Sequence, residues 1–208
     1  MRRSLILLFL LIFGCAASIQ NLSKLQYKKE EFTRQSLVSD GLALLPITAG
    51  EGMEGYRRPA GDSLYSAIRS LRKDINVLDA QTSLNKINDA QLADKYAELI
   101  RTYAQTAILN RESVKNLSAA VGKRYLMYVR LERFHEREST RYSFWTGFTT
   151  LKEGEVGLFA QIWDGQNGDV VWEAQGIAKS STTDELSYIK GFEEHLNVAC
   201  RGLAYKLP

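Results

Sequence analysis

Gly50-Glu-Gly-Met-Glu-Gly55 spells G-x-G-x-x-G, a pattern that lets a strand-to-helix turn bring its backbone against a pyrophosphate. That chemistry needs the helix to open at the third glycine, so that its amino terminus meets the phosphates. Here Tyr56 to Gly61, with Pro59 among them, separates the third glycine from the next helical pattern, and Glu51 and Glu54 would repel phosphate. The segment reads as a Gly-rich loop, and no cofactor is expected. His135 and His195 are the only histidines. His135-Glu-Arg-Glu has no second histidine at helical spacing, and Glu194-His195 reads as a solvated helix face. A metal site needs three or four convergent ligands, and no such set emerges. No G-x-S-x-G occurs, and Asp164 and Asp169 flank a turn, where aspartate is favoured for backbone reasons. The chain is therefore expected not to be an enzyme. A scattered active site is the alternative.

The chemistry at Cys15 is of another kind. Arg2 and Arg3 precede an unbroken apolar run from Leu5 to Phe13, which fits a secretory leader and is too short to span a bilayer as a mature helix. Ile12-Phe13-Gly14-Cys15 resembles the lipobox of bacterial lipoproteins. That resemblance implies a leader over 1–14, a lipid on Cys15 and a membrane-anchored product. Ala16 after the cysteine implies sorting to the outer membrane, on its periplasmic face. Cleavage near Cys15-Ala16-Ala17 to give a soluble periplasmic protein is the alternative. Loss of Arg2 and Arg3 lowers the formal net charge from +3 to +1, so charge gives no footprint for nucleic acid. The remaining cysteine, Cys200, reads as a small buried hydrophobe.

Recognition chemistry concentrates between His135 and Gly154, a long connection for two antiparallel strands. Tyr142, Phe144, Trp145 and Phe148 stand there beside Arg141, with Arg137 and Lys152 nearby. Aromatic rings with arginine favour partner contacts. These residues are the candidate partner-binding surface. The alternative is that the rings extend the strands and pack on the core.

The elements that must position them follow from periodicity. Residues 15–39 read as a polar, lipidated tether, and 40–208 as a single globular domain, ample to bury a core. Gly41 to Ile47 is a buried strand closed near Pro46; Asp62 to Asp74 is a helix; Ile75 to Leu78 is a short strand. Asn88 to Asn110 reads as one helix, capped by Asn88, with Leu92, Tyr96, Leu99 and Tyr103 on its stripe. Glu112 to Val121 is a second, stopped by Gly122. Arg124 to Phe134, Glu155 to Trp163 and Val170 to Ala178 alternate as strands, the last two joined at Asn167-Gly168. On the third, Val170, Trp172, Ala174 and Ala178 are expected on one face. Thr182 and Glu185 form a capping box for a final helix carrying Leu186, Ile189, Phe192, Leu196 and Leu203. The expected class is α/β with α+β character: a mixed sheet whose carboxy-terminal three strands are antiparallel, with helices packed on it.

Three stretches carry a resemblance to envelope lipoproteins with a TolB-amino-terminal-like domain, among them the curli-secretion lipoprotein and the activators of penicillin-binding proteins. They are Gly41-Leu-Ala-Leu-Leu-Pro46, Leu117-Ser-Ala-Ala-Val-Gly-Lys-Arg-Tyr-Leu126, and Trp163-Asp-Gly-Gln-Asn-Gly-Asp-Val-Val-Trp-Glu173. The resemblance implies an adaptor or assembly factor in envelope biogenesis or transport, with an envelope protein partner and room for oligomers. A soluble periplasmic small-ligand-binding protein is the alternative.

Overall fold

The computed structural model describes residues 18–145, 147–183 and 191–208. The leader, Cys15, Glu185, Leu186 and Ile189 lie outside the described residues. In chain order the elements are β1 (Gln20–Asn21), β2 (Lys24–Lys28), α1 (Arg34–Asp40), β3 (Leu42–Leu44) and β4 (Thr48–Ala49). A 3-10 turn at Glu54–Tyr56 leads into α2 (Arg57–Leu71), followed by β5 (Val77–Leu78), α3 (Ala80–Asp89), α4 (Ala93–Thr106) and α5 (Arg111–Val121). Last come β6 (Tyr125–Ser143), β7 (Gly147–Asp164), β8 (Asp169–Thr182) and α6 (Phe192–Lys206). They form a mixed sheet in the order β1-β8-β7-β6-β3-β5, with β2 also on β8 and β4 also on β6. β3 lies parallel between β5 and β6, and β6, β7 and β8 are antiparallel, as the α+β reading expects.

Each face of the sheet buries its own apolar cluster. Leu42, Leu44, Met127, Val129, Leu131, Val156, Leu158, Ala160, Ile162 and Trp172 point to the face covered by α2 and α6. Ala43, Leu45, Leu126, Tyr128 and Trp163 point to the other, covered by α3, α4 and α5. This alternation is the period-2 geometry of strands, and residues buried on both sides explain the unbroken apolar run of β3. Leu196 shares the α2/α6 face with Leu158, whereas Leu92 and Leu99 lie on the opposite face. The helix α6 comes very close to β8: a Cβ on Gly176 would stand 2.7 Å from the Ala199 carbonyl oxygen.

Four expectations change. Residues 20–28, read as tether, pair with β8 through β1 and β2 and cover its edge; Phe32 and Leu37 beyond them are buried. The single helix over 88–110 is two. Asn88 lies inside α3, Gln91 takes φ 58° at the corner, and Leu92 opens α4 without a side-chain cap. The capping asparagine is Asn110, which accepts from the Ser113 N–H at the start of α5. Residues 49–61 are not all loop, because α2 opens at Arg57, two residues past the third glycine. Val170 faces away from Trp172, because the register between β7 and β8 slips by one residue between Ile162 and Trp163.

Cys200 lies in the α2/α6 cluster with no exposed surface, and burial pushes its thiol well above the usual range. The thiolate is the reactive form. We expect Cys200 to react with a maleimide only after unfolding. Prompt labelling of the native chain would contradict its placement.

Candidate functional site

The three antiparallel strands do not end together. β8 follows β7 as far as Lys152↔Thr182, while β6 and β7 stay paired from Ser139↔Leu151 to Ser143↔Gly147. The last five cross-strand pairs thus form a two-stranded ribbon that continues the sheet. The segment 135–154 is therefore strand throughout most of its length, not a loop, which corrects the expectation. An isolated two-stranded ribbon is marginally stable in water. This one is held by its continuity with the sheet and by cross-strand contacts: Thr140 and Thr150 hydroxyls at 3.2 Å, and the Tyr142 and Phe148 rings at 5.1 Å between centroids. At the turn, Phe144 and Trp145 meet edge to face at 5.5 Å.

These rings extend the strands without joining the core. Tyr142 is 66% exposed, Phe144 83%, Trp145 90% and Phe148 71%. Each ring carries a large apolar area that gains by leaving water, and each supplies contact at low entropic cost. The backbone of Arg141 pairs with Thr149 on the same ribbon. The structure thus brings Tyr142, Phe144, Trp145 and Phe148 together at one exposed tip.

The base of the ribbon is packed and ion-paired on its two faces. The register slip between Leu131 and Arg133 turns Phe134 onto the α2/α6 face, where its ring meets Tyr56 at 5.2 Å and Phe192 at 4.8 Å. On the other face Glu155 gathers Lys179 at 2.8 Å, Arg133 at 3.1 Å and His135 at 3.9 Å. Burial works to raise the Glu155 carboxyl, but the hydrogen bond and charge of Lys179, with those of Arg133, outweigh it and hold it below its ordinary value. His195, expected on a solvated face, is buried: its Nε2 stands 2.8 Å from the Ser180 hydroxyl and its Nδ1 3.1 Å from the Gly191 carbonyl. That pair ties α6 to β8 below the ribbon. No periodicity announces it, since a histidine four residues into a helix looks the same wet or dry.

The first described residues lie at this same end. Gln20 pairs with Lys179, which pairs with Glu155 and so lies level with His135, and the chain then runs away from the tip towards Lys28. No helix among the described residues is long and apolar enough to cross a membrane.

No protein-family model matches the chain, and no curated protein matches it. Solved structures do. A PelC dodecamer from Paraburkholderia phytofirmans is similar at 13% identity and a TM-score of 0.46, over 89% of this chain and 98% of that one. The lipoprotein GNA1162 from Neisseria meningitidis is similar at 14% identity and a TM-score of 0.38, over 71% and 87%. The LpoB carboxy-terminal domain from Salmonella enterica is similar at 14% identity and a TM-score of 0.39, over 69% and 93%.

Proposed function

We propose that this chain is an exported lipoprotein, held on the periplasmic face of the outer membrane through Cys15, that acts as an adaptor or assembly factor by presenting its ribbon tip to an envelope protein. The observation that carries the reading is the tip itself: four rings, each at least 66% exposed, on a ribbon that projects past the third strand. An apolar cluster of this kind on a soluble domain marks a contact surface. The leader and lipobox-like residues support the anchor, and the TolB-amino-terminal-like stretches support the adaptor class. Those stretches form the buried β3, the α5–Gly122–β6 passage and the β7–β8 turn.

The test joins two measurements. Palmitate should label the chain, and Cys15→Ala should abolish the label. The double substitution Phe144→Ala and Trp145→Ala should leave stability within about 1–2 kcal/mol while abolishing cross-links from the tip to its protein partner. Unfolding of the double variant, or unchanged cross-linking, would refute the assignment of the tip.

A second reading is favoured by where the first described residues lie. Cys15 lies five residue steps before Gln20, a reach of at most about 17 Å, whereas the tip lies about 30 Å beyond the level of His135 at ~3.4 Å per residue. An anchor at Cys15 would hold the tip close to the same membrane, and Trp and Tyr favour the lipid–water boundary. Tip cross-links to phospholipid in place of protein would establish this reading.

A further inference from the structure

The strands β3 and β5 are parallel neighbours whose following helices leave on opposite faces: α2 joins the α2/α6 cluster and α3 the other. Where adjacent strands hand off to opposite sides, the loops part at their carboxyl ends and leave a crevice, the place where open α/β sheets bind ligands. Here the crevice is a cavity of about 290 Å³ lined by Pro46, Ile47, Arg57, Gly61, Ala80 and Leu84. Pro46, Ile47 and Arg57 also line an adjoining open depression of about 370 Å³, lined further by Tyr96, Ala97 and Ile100. The two form one groove with a mainly apolar floor.

Its floor is fixed and its rim is charged. The Tyr96 hydroxyl donates to the Pro46 carbonyl at 3.2 Å, so the ring is held in the wall. A Cβ on Gly61 would sit in ordinary contact with Ile47 at 3.5 Å and Ala80 at 3.8 Å, both in the lining, so a longer side chain there would occupy the crevice. Arg57 and Arg58 border the first cavity with Asp62, and Arg101 joins Arg57 at the second. Among the described residues none of these arginines stands within ion-pair distance of a carboxylate. An apolar floor with a net positive rim suits a ligand with an aliphatic tail and an anionic head, which guanidinium groups bind in a fork.

We propose that this crevice binds a single-tailed aliphatic anion, a fatty carboxylate or an alkyl phosphate, independently of the ribbon tip. The test is calorimetric titration of the full mature chain carrying Cys15→Ala. Decanoate should bind saturably at one site, and decanol at least tenfold more weakly. The Arg57→Gln and Arg101→Gln double variant should lose at least tenfold for decanoate and little for decanol. Gly61→Leu should abolish binding of both, and circular dichroism checks that it folds. The arginine substitutions are on the surface and keep the test open if it does not. A parallel titration with decyl phosphate decides which head group is preferred. Equal binding of decanol and decanoate, decanoate binding unaffected by the arginine changes, or no binding at millimolar decanoate would overturn the proposal.

Discussion

Leu158→Ala is expected to destabilise the chain by about 2–5 kcal/mol, read as a lower urea midpoint at unchanged slope. Leu158 is 1% exposed and sits mid-strand, opposite Leu131 on β6 and Gly176 on β8. The transfer of its lost carbons accounts for only part of that cost. The rest depends on whether the neighbours can close the cavity. They have little slack, because α6 already rests on the Gly176 backbone. The neighbouring Phe159 lies on the other face and is only partly buried, so Phe159→Ala should cost less despite removing more atoms. A Leu158→Ala loss well under 1 kcal/mol, or a larger one at Phe159, would mean that the strand faces are assigned the wrong way round.

The long antiparallel strands were legible because they alternate. Met127, Val129 and Leu131, and Val156, Leu158, Ala160 and Ile162, are spaced two apart and all reach one cluster. Asn167-Gly168 gave the turn, where Gly168 takes φ 73°. What period alone could not supply was the position of the slips. One extra residue near Glu132 and one at Val171 reverse the phase, which moves Phe134 onto the α2/α6 face and Val170 off it. β2 was illegible for a different reason: all five of its residues are exposed, and it is held by backbone pairing to β8 that leaves no apolar pattern. The corner between α3 and α4 was hidden because both helices feed the same cluster, Ile87 from one and Leu99 from the other, so the stripe appears to run on.

The candidate site was legible in composition and not in shape. Four rings within seven positions stand out in any reading, but core and surface predictions for them were equally open, since alternation continues through Tyr142 and Phe148. Only the length of β8 decides it. Because β8 stops at Thr182, nothing described flanks the last five pairs, and the rings remain in water. The crevice was not legible at all, because Pro46, Gly61, Ala80 and Ile100 come from four separate segments that topology alone brings together.

Arg124→Met is expected to cost about 3–5 kcal/mol, through the carboxylate it leaves behind. Arg124 grips Asp164 with Nε–Oδ1 at 2.9 Å and Nη2–Oδ2 at 2.8 Å, and reaches Asp40 with Nη1 at 2.9 Å. The Asp164 side chain is only 4% exposed. Burial works to raise its carboxyl, but the Arg124 bonds, aided by the Gln166 N–H, hold it below the ordinary 3.8. A carboxyl depressed in the folded state contributes stability above its unfolded value, lost as pH falls through the folded one. Without Arg124 the burial penalty dominates, and the folded value should rise. The difference between the native chain and Arg124→Met should therefore be full above the variant's raised folded value, shrink as pH falls from there through 3.8, and vanish only below the native chain's depressed value, where Asp164 is protonated in both. Asp164→Asn in the Arg124→Met background removes the stranded charge and should recover part of the loss at pH 7. A loss at Arg124→Met that stays constant from pH 7 to pH 3, or a double variant no more stable than the single, would show that Arg124 acts through packing on the Tyr125 ring, 5.0 Å away, and not through Asp164.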